Sequence, residues 1–480
     1  MSTPGIHRLL VQEWRLFAAN RANLAVLAVL ALLLAFTVVN GTRRVSDTRT
    51  AQGEALTASK EDWAQARARF VELQNGTRER QMFDDPSRAD LVVMRDRNAI
   101  AMAPTPLAPL SVGPAREGND LIAFGLGSRH RAAPGSRENP SIRLDGPLDT
   151  AFIVAWLLPL VLLVFAYDAL SRDREQQITP VLASQSISLR RILIARLTVC
   201  FITVFGVVGA ITATGVLAAW EGPIAHALPD LLLWLGAVSG AIVFWLALAG
   251  VVNAHARNSA TAGVTLLALW IALSVLVPVL ASQVLSAHGP APHRLDTVLG
   301  RRALDSDLTE RASEVSAAYY AENPQRRPQR GQFSEYEQYF VENYYPRQIV
   351  IDRLFAPAAR RIEVRRVEQV RRLRLASMLS PSLAVKVLTD DLAGYAPERR
   401  QRFESAADEF QASWRGFFDV KFASRTPLTM ADYNQAPRFV YRDEPSRDRL
   451  LRAAPPFSGL LLAALLAALA AHARLRRARP

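Results

Sequence analysis

Six stretches of this chain lack Asp, Glu, Lys and Arg altogether: Ala22–Thr42, Thr150–Tyr167, Leu197–Trp220, Leu231–Ala256, Asn258–Pro292 and Ala453–Ala473. Between most of them lie segments dense in Arg, Asp and Glu. A bilayer core about 30 Å thick takes roughly 20 apolar residues of helix at about 1.5 Å of rise per residue. The second stretch is short, a mismatch that flanking residues or local thinning of the bilayer absorb. The pattern predicts six transmembrane helices, at 22–42, 150–167, 192–220, 231–254, 259–287 and 453–473. Six core helices of a soluble protein are the alternative, but core helices this long and this free of charge are rare. The first stretch exceeds the apolar part of a signal peptide, and no A-x-A-like site follows at Phe36–Gly41, so it is read as a retained helix.

Orientation follows from Arg in the short loops. Glu221–Asp230 has no Lys or Arg and is placed outside. The loops flanking that hairpin carry Arg172, Arg174, Arg190, Arg191 and Arg257. The N-terminal stretch 1–21 carries Arg8, Arg15 and Arg21, and the tail 474–480 carries Arg474, Arg476, Arg477 and Arg479. These are placed in the cytoplasm. Arg43 and Arg44 run against the rule, but a long segment follows them, and long segments translocate largely regardless of charge. Both termini therefore read as cytoplasmic. Segments 43–149 and 288–452 read as extracytoplasmic domains of a multi-pass protein in a bacterial cytoplasmic (inner) membrane. The fold class expected is an all-α membrane protein with two large, mainly helical extracytoplasmic domains.

Within the first polar segment, Trp63, Phe70 and Leu73 recur at helical spacing, so Thr48–Phe83 should prolong the first membrane helix outward. Pro104, Pro106, Pro109 and Pro114 follow, with short strands suggested at Leu91–Met94 and Asn98–Met102. The second segment suggests helices at Leu295–Ala321, Glu335–Leu375 with breaks at Pro346 and Pro357, Ser382–Leu392 and Pro397–Phe422. Ser380–Pro381 has the form of a helix start. Arg360–Arg374 holds seven Arg interleaved with apolar residues. It reads as a solvated helix with its apolar side packed inward, the alternative being an anion-facing surface.

Composition narrows the chemistry. Mean hydropathy is +0.08, an average over apolar blocks and polar segments, so one soluble core is excluded and so is a disordered chain. A single Cys, Cys200, excludes a disulfide framework and any Cys-based metal site. The net charge of +13 comes from 54 Arg against 3 Lys. That bias looks like genome composition rather than selection for phosphate contacts, and no nucleic-acid partner is expected. No G-x-x-x-x-G-K-[ST], H-E-x-x-H or G-x-S-x-G occurs, so the chain is not expected to be an enzyme or to cradle ATP phosphates itself. Gly236-Ala-Val-Ser-Gly240 fits a G-x-x-x-G helix-packing motif. The His and Met residues do not cluster, and no metal site is expected; His288 and His293 are the closest His pair. Ion-driven carriers need titratable groups at membrane depth, and only His255 comes near. Energy for transport would have to enter from outside the spans.

The one sizeable inner loop, 168–191, reads D-A-L-S-R-D-R-E-Q-Q-I-T-P-V-L-A-S-Q-S-I-S-L-R-R. Charges at Arg172, Asp173, Arg174 and Glu175 precede Ile178, Val181, Leu182 and Ile187, and Arg190 and Arg191 close it. A short amphipathic element at the interface fits, offering a docking surface for a cytoplasmic protein; a plain connector is the alternative.

The stretch from Glu138-Asn-Pro140 to Arg196 resembles the permease subunits of type-2 ABC transporters. The branch is one of unknown function associated with transport and multicopper-enzyme maturation. The residues carrying the resemblance are Glu138–Pro140, Leu148–Phe152, Leu157–Pro159, Tyr167, Leu170–Gln176 and 182–191. Leu379-Ser-Pro-Ser-Leu-Ala and Leu392-Ala-Gly in the second polar segment are similar to the same branch. The family places an E-x-E-x-G-T-like sequence after the second helix. Here Asp173 and Glu175 stand for the acidic pair, while Gln177 and Ile178 replace Gly-Thr. The resemblance implies a permease forming a homodimer, or a heterodimer with a second permease, in the lipid bilayer. Each copy would be docked to a separate ATP-binding subunit that holds ATP and Mg, with no cofactor in this chain. The ATPase-coupling residues it implies are Arg172, Asp173, Arg174, Glu175, Gln177, Pro180, Leu182, Arg190 and Arg191. ATP-driven export is the function expected. The alternative is an envelope scaffold or mechanotransmission protein that assists a periplasmic partner without transporting solute.

Overall fold

The computed structural model describes residues 6–81, 84–89, 91–92, 98–113, 121–124, 129–131, 148–177, 188–287, 294–324, 327, 345–423 and 426–477. Helix α1 (Ile6–Ala19) ends at Asn20, whose side chain accepts the N–H of Ala22 at 3.0 Å and so caps α2 (Arg21–Gln74). Helix α2 is one continuous rod of 54 residues, about 80 Å long at the usual rise. It crosses the bilayer with its first half and projects into the polar region with its second.

The second span starts at Thr150, where Asp149 accepts the N–H of Phe152 at 2.7 Å. A π-turn at Ile153–Leu157 leads into α3 (Leu158–Ala166), and a short helix, α4 (Ser171–Glu175), follows. The hairpin of α5 (Leu189–Ala219) and α6 (Ile224–His255) comes next, then the fifth span, α7 (Ser259–Ile271) and α8 (Val277–Ala287). A second π-turn, Ala272–Leu276, joins the last two. The backbone carbonyls near both π-turns find donors. Trp156 donates Nε1 to Ser274 O at 2.9 Å, Trp270 to Trp156 O at 3.3 Å, and Ser380 Oγ to Leu273 O at 2.6 Å.

The polar region holds α9 (Arg294–Glu310), α10 (Ala312–Glu322), α11 (Tyr345–Ala376), α12 (Pro381–Asp390), α13 (Pro397–Ala423) and α14 (Met430–Gln435). The chain ends in α15 (Ser446–Arg477), the sixth span. A three-stranded antiparallel sheet, β1 (Asn98–Ala101), β2 (Leu121–Phe124) and β3 (Arg129–Arg131), is paired in chain order. The two polar segments share their cores. Trp63 and Phe70 of α2 pack with Trp414, Phe418 and Tyr433, and Ile100 and Ile122 of the sheet pack with Phe403 and Ala407 of α13. Helix α12 is the bolt between polar region and bundle. Seven of its residues are buried, and Ser382 Oγ lies 2.7 Å from Ser274 Oγ of the fifth span. Gly41 of α2 passes so close to the Pro109 carbonyl that any Cβ there would collide with it.

Several expected boundaries move. The fourth helix starts at Ile224, inside the expected loop, because Asp230 is buried against Arg449 Nε at 3.2 Å and its charge does not mark a helix end. The sixth helix begins seven residues early and runs through Pro455 and Pro456. Leu91 and Val92 are helical rather than extended, Val92 N bonding to Arg88 O at 3.1 Å. The helix expected over 295–321 divides at Arg311. Of the helix expected from Glu335, the part before Tyr345 lies outside the described residues, and Pro346 sits in the first described turn of α11. Pro357 lies inside the unbroken α11, which is held by packing on α9, α10 and α13. Arg374 is not solvated. Only 5% exposed, it forms bonds to Asp391 at 2.7 and 2.9 Å and to Glu398.

Candidate functional site

The inner-loop residues gather at one end of the bundle, in an elbow formed where α3 stops at Ala166. Stopping a helix there releases backbone groups that need partners. Asn253 of α6, fully buried, supplies them. Its Oδ1 accepts the N–H of Leu170 at 3.0 Å, the N–H of Ser171 at 3.3 Å and the Ser171 hydroxyl at 3.3 Å. Its Nδ2 donates to the carbonyls of Ala166 at 2.8 Å and Ala249 at 3.0 Å.

Arg196, in the second turn of α5, holds the elbow from another side. Nη1 donates to Asp173 Oδ2 at 2.7 Å and to the Ala169 carbonyl, and Nε donates to Glu13 Oε2 of α1 at 3.2 Å. One guanidinium thus joins α1, α4 and α5. Burial raises the Glu13 carboxyl above its ordinary value; Arg196 opposes that rise and Asp173 adds to it. Beneath the ion pairs, Phe17 of α1 packs edge-on against Phe165 of α3 at 5.1 Å between ring centroids.

Arg174 reaches the end of α6, where Nη1 donates to the carbonyls of Asn253 at 2.9 Å and Ala256 at 2.6 Å. A cation at a helix C-terminus is favourably placed. Glu175 Oε2 accepts the N–H of Ser259 at 3.3 Å, in the first turn of α7. Arg172 is exposed and makes a 3.7 Å ion pair with Asp168.

Of the residues named from the sequence, Asp173 and Arg174 therefore turn into the protein, while Arg172, Glu175 and Gln177 are exposed. Gln177 has φ +56, the left-handed region, at the position where the resembled motif carries Gly. Arg190 and Arg191 lie in the first turn of α5. Pro180 and Leu182, with Ile178, Val181 and Ile187, fall outside the described residues, as do His288 and His293. Gly236 and Gly240 face α15: a Cβ would meet Phe457 at 3.4 Å and Leu460 at 3.1 Å respectively. Among the described residues no group of three or more His, Cys, Asp or Glu is placed to hold a metal ion.

Sequence reasoning gave no role to Asn253, Arg196 or Glu13. Asn253 had a visible signal, an amide near the end of an otherwise apolar run; Glu13 and Arg196 are far apart in sequence, and only the fold brings them together. What the arrangement can do is mechanical. The bonds of the elbow run to four helices, so a force on its exposed face reaches α1 through Glu13, α5 through Arg196, α6 through Asn253 and Arg174, and α7 through Glu175.

Residues 9–342, well over half of the chain, match the family model described as ABC-2 family transporter protein. Residues 294–442 match a domain of unknown function, DUF3526. No significant match to a curated protein or to a solved structure is found.

Proposed function

The chain belongs to the ABC-2 family of transporter proteins and is a multi-pass membrane permease of an ABC transporter; from that premise we propose that it exports its substrate, driven by a separate ATP-binding subunit that docks on the elbow. The observation that carries this reading is the bracing of the elbow by Asn253, Arg196, Arg174 and Glu175, which tie it to α5, to the end of α6 and to the start of α7. Closure of the ATP-binding subunits would push on Arg172, Glu175 and Gln177, and the braces would pass that displacement to four helices. Outward transport is the direction favoured by the resemblance to type-2 permeases. The elbow end then faces the cytoplasm of a bacterial inner-membrane protein, and the polar region lies outside.

A second permease copy, identical or related, is part of this proposal. The fifth span has only 11% of its apolar window buried, against 61% for the second and fourth. Val264, Leu267, Ile271 and Val275 form an exposed stripe along it at helical spacing. Such a stripe suits a partner helix as well as lipid.

The test is co-expression with an ATP-binding subunit and purification in mild detergent. The permease should carry the subunit through purification, and Arg174→Ala with Glu175→Ala should reduce its recovery. A permease that purifies free of the subunit while retaining its function contradicts the proposal. The scaffold reading draws on the shared core of the polar segments; cross-linking from Arg360–Arg372 to one periplasmic protein, with no solute moved, would favour it.

A further inference from the structure

A groove of about 390 Å³ runs between the third, fourth and sixth spans. Its walls are apolar: Leu197 and Phe201 from α5, Leu246 and Gly250 from α6, Ala468 and Ala471 from α15. The small residues create it. Where α6 and α15 would interdigitate larger side chains, Gly250 and the two alanines leave a trough, and the nearest atoms a Cβ on Gly250 would meet, on Leu197, Ala471 and Leu193, lie at ordinary contact distances of 3.5–3.8 Å. Ile194 and Val243 beside it are 43% and 40% exposed, so the trough borders the lipid-facing surface.

One end of the groove is polar. Arg190 and His472 line it there, at the same end of the bundle as the elbow. Arg190 forms no ion pair among the described residues, Arg191 follows it, and Arg474 lies two residues beyond His472. The nearby acids Asp173 and Glu13 are both engaged by Arg196. The mouth therefore carries a net positive field. From Arg190 to Phe201 a helix rises about 16 Å, close to half of a hydrocarbon core about 30 Å thick.

An apolar trough one leaflet deep, with a guanidinium at its headgroup end, has the shape and charge of a phospholipid site. We propose that the groove binds one acyl chain of an anionic phospholipid, whose phosphate pairs with Arg190. Leu193 lines the groove and also packs with Ala169 and Leu170 of the elbow, so the lipid stands directly behind the coupling element.

The experiment is native mass spectrometry of the full chain, delipidated in detergent and titrated with phosphatidylglycerol or phosphatidylcholine. Phosphatidylglycerol should be retained as one tight molecule per chain, about fivefold better than phosphatidylcholine, the preference that about one basic contact gives. Arg190→Gln should abolish the preference and leave the melting temperature in lipid-free detergent unchanged. Filling the trough with Gly250→Leu and Ala468→Phe should lower retention of both lipids. The proposal is overturned if the two lipids are held equally by the native chain, or if either variant leaves phosphatidylglycerol retention unchanged.

Discussion

Arg196 of the third span donates to Asp173 of the elbow at 2.7 Å, and the same guanidinium holds Glu13 at 3.2 Å. Replacing it strands two partly buried carboxylates beside each other. Arg196→Met should lower stability by about 3–5 kcal/mol, the scale for removing one partner of a buried ion pair. Thermal unfolding of the purified chain measures it. Adding Asp173→Asn should recover part of the loss, because the stranded charge is removed; a strictly additive double variant would show that the two do not act as a pair.

Asn253→Leu should cost about 1–3 kcal/mol for each backbone N–H it orphans, those of Leu170 and Ser171. Hydrogen exchange should localise the damage. Amides of 166–175 should exchange faster, with those of Trp234–Trp245 in the middle of the same helix unchanged.

Gln177 holds φ +56, a conformation that costs a side-chain-bearing residue about 1 kcal/mol and Gly very little. Gln177→Gly should raise the melting temperature of the chain or leave its elbow better protected from proteolysis. Gln177→Val, β-branched in the left-handed region, should do the reverse.

The polar–apolar pattern made the six spans legible, since each apolar block must span or be buried whatever its neighbours are. Helix ends were less legible wherever a distant charge replaces the local signal. Asp230 marked a loop in the sequence but is neutralised by Arg449, which lies more than two hundred residues away. Arg374 likewise read as part of a solvated run, because nothing local announces Asp391 and Glu398 as its partners. At the elbow, the charged residues could be named, but their direction could not. Asp173 and Arg174 face inward because Arg196, Asn253 and Ala256 stand behind them.

In the polar region, burial would raise the Glu398 and Asp443 carboxyls, but hydrogen bonds and charge from Arg374 and Arg399 outweigh it and hold both below their ordinary values. A depressed folded value means the contribution is fully present above the unfolded values of about 4.3 and 3.9 and is lost as pH falls through the folded ones. Burial moves Asp391 upward, so its protonation in acid opposes part of that loss. Glu398→Gln should therefore destabilise the chain by about 1–3 kcal/mol at pH 7 and have a smaller effect near pH 3. Denaturant titrations followed by tryptophan fluorescence at both pH values check the sign.

The most direct test of the account is site-specific cross-linking from the elbow. Cys200 is the only cysteine and is buried, so Cys200→Ser gives a clean background for Gln176→Cys on the exposed elbow and Gln435→Cys in the polar region. In membranes containing the assembled transporter, a short bifunctional reagent should join position 176 to the ATP-binding subunit and leave position 435 unlinked to it. Capture of that subunit from position 435, with none from 176, would contradict the account.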